Sequence, residues 1–440
     1  MSFSELNLHP KILDTLKELG YEEATEIQIK AIPLLLAKKD LLATSQTGTG
    51  KTASFILPLL QNLTEETEKR TGDERYKIKA LVLAPTRELV IQINEKTQSY
   101  GQNFSHQSVA LYGGIKLGSQ VSQIRAGANI AIATTGRLRE HIKNKSINLS
   151  EVEIIVLDEA DKMLEMGFID DIRAIIALLP KKRHSLMFSA TFPKSIITLA
   201  KSFLHHPQSI EIDSKNPSTE QIQQLVHYVN EEEKMILLSH LIEERKMHQV
   251  LVFANTKNQS NKIVEALNEK EITSLAIHGD KSQGMRLEAL KKFKAQEIVV
   301  LVATDVAARG IDIINLPHVI NFELPLKNED YIHRVGRTGR ASQKGEALSL
   351  ICKKEIEQLQ EIETLLAKKI PSITSENFEF TLDNKAFSKK VKNIDKNKTV
   401  NLKKARELAD KMMGTDKVTQ NNADKKKNNN LKSPKNKRHF

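Results

Sequence analysis

The sequence predicts an α/β protein with two domains, each built on a parallel sheet. Short apolar runs typical of strands buried on both faces alternate with amphipathic stretches typical of helices. This alternation occurs twice, and a polar stretch at residues 213–219 separates the two halves. A chain of 440 residues, 40% of them hydrophobic, is long enough to form two domains with substantial cores.

The individual elements follow from the same periodicity. In the first half, strands are expected at 41–43, 80–84, 129–133, 154–157 and 185–188, and helices at 86–100 and 193–204. In the second half, strands are expected at 249–253, 273–277, 298–302, 319–322 and 347–351. We therefore predict domains at residues 1–210 and 222–370, a linker at 211–221 and a tail at 371–440.

The net charge of +11 is concentrated in that tail. Residues 384–440 contain 18 of the 66 Lys and Arg but only 5 of the 55 Asp and Glu, so they carry +13 and the preceding residues −2. Low hydrophobicity and like charge predict a disordered tail, apart from a short helix at 403–413. A near-neutral body with a basic tail indicates a polyanionic partner; the alternative is a tail that only adds solubility.

Composition also excludes several classes of protein. Collagen-like, disulfide-rich and wholly disordered chains are excluded, and no apolar run approaches the 18 residues of a transmembrane helix. The first residues lack the features of a secretory signal, and Cys352 has no second cysteine with which to form an internal disulfide. We therefore expect a reducing, cytoplasmic setting without a membrane partner.

Residues 45–52 have the pattern of a phosphate-binding loop between a strand and a helix. Glycines let backbone N–H groups approach phosphate oxygens, and the helix N-terminus adds positive potential. Lys51 is predicted to reach the β- and γ-phosphates, and the Thr52 hydroxyl to ligate Mg²⁺. The predicted nucleotide-binding residues are Ser45, Gln46, Thr47, Gly48, Thr49, Gly50, Lys51 and Thr52.

The tetrad at residues 158–161 follows an apolar strand at 154–157. Carboxylates at the carboxyl end of a parallel strand lie beside the phosphate loop. We predict that Asp158 holds Mg²⁺ through water and that Glu159 orients or activates the attacking water. The alternative is an acidic helix N-terminus that only favours the helix dipole.

Residues 333–340 place three arginines and two glycines in a short loop of the second half. Guanidinium groups on such a loop can meet phosphate or a developing transition-state charge. Since no phosphate loop is visible in the second half, we predict that these arginines act on the nucleotide held by the first half. Catalysis would then require closure of the two domains. The alternative is a solvated basic turn.

Together these segments resemble the DEAD-box RNA helicases over nearly all of residues 1–370. Residues 85–89, 113–114, 189–191, 303–312 and 333–340 also match that family's motifs and occur in its order. Residues 163–168 and 278–284 are most similar to the bacterial RhlE-type branch. The resemblance implies two tandem RecA-like domains, each a parallel sheet covered by helices, and an activity driven by ATP and Mg²⁺.

The resemblance also assigns residues to the nucleotide. Gln28 matches the glutamine that reads the adenine edge, and Phe3 matches the aromatic that stacks on the base, unless it is only a mobile terminal residue. Gly310 and Asp312 match residues near the ribose, and Arg337 and Arg340 match the arginines that meet the phosphates. The residues that couple hydrolysis to unwinding are matched by Asp161, Ser189, Thr191 and His333, although the Ser189 and Thr191 hydroxyls could equally form a plain strand-end turn.

Other matched segments face RNA in the family. Small residues and helix N-termini grip phosphates without reading sequence, and 2′-hydroxyl contacts favour RNA. The RNA-binding residues implied are Pro85, Thr86, Arg87, Gly113, Gly114, Thr135, Gly136, Arg137, Asn255, Thr256, Gln283, Arg286 and Thr304. Thr135 replaces a proline usual in the family, which is expected to loosen an RNA-contacting turn.

These observations predict an ATP-dependent RNA helicase that couples ATP binding and hydrolysis to local duplex unwinding or remodelling of RNA–protein complexes. Three alternatives remain at this stage: an RNA clamp that barely turns over, a DNA translocase, and a nucleotide kinase. The expected partner is RNA, bound in part by the tail. The resemblance to the branch adds possible ribosome-assembly or RNA-decay partners.

Overall fold

A computed structural model describes residues 1–44, 49–67, 77–191, 194–212, 222–308, 313, 316–339, 345–375 and 378. All of these residues belong to one compact unit, Met1–Phe380. The predicted linker stretch 213–219 and the short helix predicted at 403–413 lie outside the described residues.

The first half of the chain forms a seven-stranded parallel sheet. Its strands are β1 (Leu41–Thr44), β2 (Ala80–Leu83), β3 (Ser108–Leu111), β4 (Ile130–Ala133), β5 (Ile154–Leu157), β6 (His184–Ser189) and β7 (Gln208–Glu211). Their order across the sheet is β3-β4-β2-β5-β6-β1-β7. The sheet therefore places the carboxyl end of β1 two strands from that of β5, with β6 paired to both.

The second half forms another seven-stranded parallel sheet. Its strands are β8 (Ile222–Tyr228), β9 (Val250–Phe253), β10 (Ser274–Ile277), β11 (Val300–Ala303), β12 (His318–Asn321), β13 (Gly345–Ile351) and β14 (Ser372–Ile373). Their order is β10-β11-β9-β12-β13-β8-β14. The α/β class with two parallel sheets, predicted from the sequence, is confirmed.

Helices follow most of the strands. In the first half they are α1 (Pro10–Glu18), α2 (Glu26–Leu36), α3 (Lys51–Thr67), α4 (Arg87–Tyr100), α5 (Leu117–Arg125), α6 (Thr135–Lys143), α7 (Ala160–Glu165), α8 (Ile169–Ile176) and α9 (Lys194–Phe203). In the second half they are α10 (Lys234–Glu244), α11 (Lys257–Glu269), α12 (Gln283–Lys294), α13 (Asp305–Ala308), α14 (Asp330–Val335) and α15 (Ile356–Leu365). Short 3₁₀ helices occur at Phe3–Leu6, Glu231–Glu233 and Lys353–Glu355.

Each sheet is covered on both faces, which explains why most of its inner strands are continuous apolar runs. On the first sheet, α1 to α4 pack on one face, and α6 to α9 pack on the other. On the second sheet, α10 and α11 cover one face, while α12 and α13 cover the other. Among the described helices, none is both long enough and apolar enough to cross a lipid bilayer.

Four strands were not anticipated from the sequence: β3, β7, β8 and β14. The edge strands β3 and β7 have half-exposed or exposed residues, and β8 has two glutamines near its start, so none of them reads as a buried apolar run. The two-residue strand β14 pairs with β8 and lies just beyond residue 370. Edge positions tolerate polar residues because one side of the strand meets solvent rather than the core.

Candidate active site and nucleic-acid interface

The predicted phosphate loop joins β1 to α3. Ser45, Gln46, Thr47 and Gly48 lie outside the described residues. Lys51 is the first residue of α3 and is buried, and Thr52 follows it in the first turn of the helix. Thr49 and Gly50 lead into this turn, so the described part of the loop places the lysine at a helix N-terminus, where positive potential favours phosphate.

Gln28 connects the predicted adenine-reading segment to this loop. Its side-chain Nε2 donates to the Gly50 carbonyl at 3.1 Å, and its Oε1 accepts from the Thr25 backbone N–H at 2.9 Å. Gly50 has φ +94°, and a Cβ there would lie 2.5 Å from Gln28 Nε2. The loop therefore needs glycine at this position for both its conformation and the close approach of Gln28. Sequence reasoning missed this second role, although Thr25-x-x-Gln28 has the spacing of a capping box.

Phe3 lies in the 3₁₀ helix Phe3–Leu6 and is buried in the core beside α1 and α2. Only 3% of the residue is exposed. The ring is thus fixed by packing rather than mobile, and its stacking on a base stays a prediction.

The acidic tetrad starts where β5 ends. Asp158 donates its backbone N–H to the Leu83 carbonyl at 2.9 Å, and its Oδ1 accepts from the Glu159 N–H at 3.0 Å. Glu159 adopts a left-handed conformation with φ +50°, which turns the chain sharply from the strand into α7. Burial raises the pKa of Asp158 to about 6; the nearby Lys51 ammonium opposes this shift and Glu159 adds to it. A strongly desolvated carboxylate next to a lysine is typical of a functional site.

Asp161 faces the second domain. Both of its carboxylate oxygens are buried and have no hydrogen-bond partner among the described residues. His333, at the middle of α14, is close enough to interact with it electrostatically: burial lowers the pKa of His333, Lys162 adds to this shift, and Asp161 opposes it. Ser189 and Thr191 bond to each other instead of to Asp161, with Ser189 Oγ donating to the Thr191 carbonyl at 2.6 Å.

Arg337 and His333 line the same small cavity, which has a volume of about 20 Å³. Asp305 and Arg334 contribute to its wall. The other predicted nucleotide residues of this domain, Gly310, Asp312 and Arg340, lie outside the described residues. The described part of the arginine loop therefore brings one predicted catalytic arginine next to the histidine that faces the first domain.

Arg334, one of the three arginines of 333–340 predicted to act on the nucleotide, is instead held inside the second domain. It is 1% exposed and binds both carboxylate oxygens of Asp305, at 2.6 and 2.7 Å. It also donates to Asn255 Oδ1 at 2.9 Å and to the Glu323 carbonyl at 2.6 Å. Its guanidinium lies over the Phe253 ring, 4.9 Å from the centroid. One side chain thus joins the loops after β9, β11 and β12 to α14. Its partners are distant in sequence, so the local pattern that singles out this loop does not predict them.

The predicted RNA residues of the first domain line the carboxyl edge of its sheet. Thr86 caps α4 by accepting from the Leu89 N–H at 3.3 Å, and Pro85 precedes it. The Arg87 guanidinium packs against Gly113 and Gly114, and Gly114 has φ +89°. These residues bring a helix N-terminus, a guanidinium and two glycines to one edge of the sheet, and their contact with RNA stays a prediction.

The turn at Thr135, predicted to be loosened by the missing proline, is held by hydrogen bonds, and its loosening stays a prediction. Thr135 is the first residue of α6 and is 1% exposed, and Gly136 follows it. The turn is held by the Thr134 N–H, which donates to the Leu111 carbonyl at 2.9 Å, and by Arg137, which donates to the Ile115 carbonyl at 3.0 Å. Hydrogen bonds to residues distant in sequence thus hold the turn in which Thr135 replaces the usual proline.

In the second domain, Thr256 caps α11 by accepting from the Gln259 N–H at 3.1 Å. Asn255 uses its whole amide within the protein, donating to the Leu324 carbonyl at 2.8 Å and accepting from Arg334. Thr304 follows β11 and is mostly buried. The structure therefore gives Asn255 an internal role in addition to its predicted position near RNA.

Glu88 links the segments of the two domains that are predicted to face RNA. It is 2% exposed in the first turn of α4, and its Oε1 accepts from Gln283 Nε2 at 2.9 Å. Its Oε2 lies 3.0 Å from Arg286 Nη2. Sequence reasoning missed Glu88, because an acid in the first turn of a helix is already accounted for by the helix dipole.

The fold and these sites define a two-domain, nucleotide-driven protein with a shared polyanion-binding edge. The sequence profile of the DEAD/DEAH box helicase family matches residues 25–199, and that of the helicase conserved C-terminal domain matches residues 233–342. The DEAD-box ATP-dependent RNA helicase CshA of Bacillus subtilis is 40% identical over 370 residues, which cover 84% of this chain and 73% of the relative. CshA of Geobacillus kaustophilus is 39% identical over 369 residues, covering 84% and 77%.

Solved structures agree with this result. The DEAD-box helicase Mss116 bound to ssRNA and UDP-BeF superposes with a TM-score of 0.76 at 29% identity, covering 86% of this chain and 80% of that one. S. cerevisiae Dbp5 bound to RNA and ADP BeF3 gives a TM-score of 0.73 at 29% identity, covering 86% and 96%. The chain belongs to the DEAD-box ATP-dependent RNA helicase family. It is an RNA-dependent ATPase built from two tandem RecA-like domains.

Proposed function

We propose that this helicase couples ATP to RNA through closure of its two domains on each other. The observation that supports this most is the pair of contacts from Glu88 to Gln283 and Arg286, because they join the RNA-facing edges of both domains. His333 beside Asp161 joins the domains at the nucleotide side. Two ligands that stabilise the same closed arrangement bind cooperatively, typically by about 1–3 kcal/mol.

In the proposed reaction, Glu159 orients the water that attacks the γ-phosphorus, and the bond to the ADP oxygen breaks to release ADP and phosphate. Lys51 holds the β- and γ-phosphates, and Arg337 with Arg340 neutralises charge that develops in the transition state. The support is positional: Lys51 and Glu159 lie on the first domain, and Arg337 lines a cavity of the second domain together with His333, the residue that interacts with Asp161.

Asp158 and Thr52 are the residues that would hold Mg²⁺. They offer oxygen ligands, which Mg²⁺ prefers, and the buried Asp158 carboxylate is one whose ionised form a cation would stabilise. When bound, Mg²⁺ neutralises phosphate charge. Gln28 is proposed to read the adenine and Phe3 to stack on it, while Gly310 and Asp312 approach the ribose.

For RNA, we propose a grip on the sugar–phosphate backbone without sequence reading. The capped N-termini of α4 and α11 and the glycine pair at 113–114 present small residues and backbone N–H groups to phosphates. The residues proposed to contact RNA are Pro85, Thr86, Arg87, Gly113, Gly114, Thr135, Gly136, Arg137, Asn255, Thr256, Gln283, Arg286 and Thr304. Contacts to 2′-hydroxyls would then favour RNA over DNA.

Steady-state ATP hydrolysis with single-stranded RNA, duplex RNA or matched DNA tests this proposal. We expect strong stimulation by RNA and little by DNA. The variant Glu88→Gln should lose about tenfold of the RNA stimulation, roughly 1.4 kcal/mol of coupling, without a change in ATP affinity in the absence of RNA. Equal stimulation by DNA would support a DNA translocase, and no stimulation by any nucleic acid would support a clamp.

We further propose that residues 1–210 and 222–370 are the functional domains, that 211–221 links them, and that the basic tail at 371–440 anchors RNA. A chain ending at residue 383 should bind RNA more weakly and with a shallower salt dependence. Unchanged affinity and slope would show that the tail acts on solubility alone.

The branch of the family to which the chain belongs and its cellular role are also proposals. Residues 163–168 and 278–284 support an RhlE-type branch, although the relatives reported above are named CshA. A cytoplasmic role in ribosome assembly or RNA decay rests on the branch assignment alone. This role would be contradicted if the protein co-purified with neither ribosomal particles nor RNA-decay complexes.

A further inference from the structure

A basic pocket lies at the amino end of the strands of the first sheet, opposite the phosphate loop. Its volume is about 540 Å³. The residues that matter for its chemistry are Lys38, Asn62, Glu153, Lys182, Arg183 and His184. They come from the loop after α2, the later part of α3 and the amino ends of β5 and β6.

The pocket is separate from the nucleotide site. Lys51 begins α3 and Asn62 lies eleven residues later, so the two are about 16 Å apart along the helix at ~1.5 Å per residue. Strand β5 gives the same result, because Glu153 precedes the strand while Asp158 follows it. A ligand in this pocket would not touch the residues proposed for catalysis.

The charge of the pocket is positive. Lys38 and Lys182 are exposed at its rim, and Arg183 is half-buried. The acid in the lining is Glu153, and its Oε1 pairs with Lys79 at 3.1 Å. The nearby Asp40 is occupied by backbone groups, accepting from the Ser185 N–H at 2.8 Å and from the His205 N–H at 2.7 Å.

Two nitrogen atoms of the lining residues are buried without a hydrogen-bond partner among the described residues: Arg183 Nε and His184 Nδ1. His184 is 7% exposed, and its Nε2 contacts the Lys39 carbonyl, so Nε2 carries the proton and Nδ1 accepts when the ring is neutral. Arg183 Nε is a donor. Buried polar atoms are normally paired, so a ligand that offers an acceptor beside a hydroxyl would satisfy both.

We propose that this pocket binds a phosphate group with a neighbouring hydroxyl, as found in ribonucleotides. Lys38, Lys182 and Arg183 would hold the phosphate, and His184 Nδ1 would accept from the hydroxyl. Two sources have this chemistry: the backbone of an RNA that passes over the back of the domain, and a free ribonucleotide. The proposal does not depend on the coupling proposed for the catalytic cleft.

The first test measures binding of uridine 3′-monophosphate to the full chain saturated with ADP and Mg²⁺, by calorimetric titration. The pocket variant is Lys38→Glu with Lys182→Glu. The matched control is Lys39→Glu with Lys181→Glu, which makes the same charge change at neighbouring exposed lysines outside the lining. We expect at least tenfold weaker binding in the pocket variant and less than threefold in the control.

The second test identifies the source of the phosphate. Affinity for single-stranded RNA is measured against salt concentration for the same three proteins. If RNA backbone fills the pocket, the log–log slope should fall by about 0.7 for each RNA phosphate that the protein no longer neutralises, in the pocket variant alone. If the slope is unchanged while nucleotide binding is abolished, the ligand is a free ribonucleotide.

The proposal is overturned if the wild-type chain does not bind the nucleotide and the RNA slope does not change. It is also overturned if pocket and control variants are weakened equally in both measurements, since that would reflect general charge. Thermal unfolding and RNA-stimulated ATPase at saturating RNA serve as folding controls, and both should match the wild type.

Discussion

The two domains share one strand order, so their positions can be compared residue by residue. In the first sheet the order β3-β4-β2-β5-β6-β1-β7 corresponds strand for strand to β10-β11-β9-β12-β13-β8-β14 in the second. The registers agree: Leu83 pairs with Leu157, and Phe253 pairs with Asn321 at the same point. Structurally equivalent positions follow directly from this alignment of strands.

The RNA-facing loops are alike in the two domains. Thr86 and Thr256 are equivalent helix caps, with φ of −126° and −125°. Thr134 and Thr304 each donate a backbone N–H to the neighbouring strand, to Leu111 and Ile277 respectively. The edge that we propose to bind RNA therefore has the same local structure in both domains.

The nucleotide-facing positions are different. Lys51 and Lys234 both begin the helix that follows the equivalent strand. Lys234, however, is held within the protein: its Nζ lies 2.5 Å from Glu355 Oε2 and donates to the Phe322 carbonyl at 2.9 Å. An internal carboxylate thus takes the lysine that would otherwise meet phosphate. The difference supports the proposal that the two domains provide two RNA half-sites but a single ATP site.

The largest predicted effect distinguishes two equivalent glutamates. Glu159→Gln should reduce ATP turnover by about 10²–10⁴-fold while ATP and RNA still bind, because the variant cannot act on the attacking water. Its structural equivalent, Glu323, accepts from the Asn255 N–H, and Glu323→Gln keeps an acceptor there. Turnover of the second variant should stay within a few-fold of wild type. Similar losses in both would contradict the assignment of one ATP site.

Substitutions of the two equivalent lysines should affect different properties: Lys51 is needed for ATP binding, and Lys234 for stability of the fold. Lys234→Met leaves Glu355 buried without its cation, which should lower the free energy of unfolding by about 3–5 kcal/mol. Lys51→Met should abolish ATP binding with a much smaller stability loss, because the neighbouring Asp158 has a pKa of about 6 and can take up a proton. Denaturant unfolding and nucleotide titration measure the two effects. Adding Glu355→Gln to Lys234→Met should recover part of the stability.

The glycines of the two RNA-facing loops give a smaller contrast. Gly114→Ala places a Cβ against the Arg87 guanidinium at a positive φ, and should weaken RNA binding by about 1–2 kcal/mol. The nearest atom to a Cβ at Gly279 is 3.7 Å away, and its φ is not left-handed, so Gly279→Ala should be nearly neutral. RNA affinity by fluorescence anisotropy distinguishes them, and equal effects would show that glycine is needed for another reason.

The smallest predicted effect tests whether the equivalent helix caps of the two domains contribute equally. Thr86→Val and Thr256→Val each remove one helix-cap acceptor, which should cost about 1 kcal/mol of stability. Both variants should weaken RNA binding by a similar few-fold factor. A loss confined to one domain, measured by unfolding and RNA titration, would show that the two half-sites are unequal.

Sequence reasoning predicted the two parallel sheets because buried strands and helix periodicity are local signals. It also placed Lys51, Asp158 and Glu159 together, since the loops at the carboxyl ends of parallel strands meet at one edge. It missed the role of Glu88 and assigned Arg334 to the nucleotide instead of to its internal partners, because in both cases the partners lie far away in the chain. A buried ion pair between domains leaves no periodicity, and the polar start of β8 hid an inner strand of the second sheet, which lies next to its edge strand.

The hydrogen bonds of Arg334 restrict which amino-acid substitutions the protein can accept around this residue. Asp305, Asn255 and the Glu323 carbonyl all depend on one guanidinium, so a substitution at one alters the requirement at the others. Effects of substitutions there should be strongly non-additive, and lysine cannot substitute because it lacks the planar fork. In a selected library, replacements at these positions should therefore appear only in compatible sets, whereas the outer helix faces should vary independently.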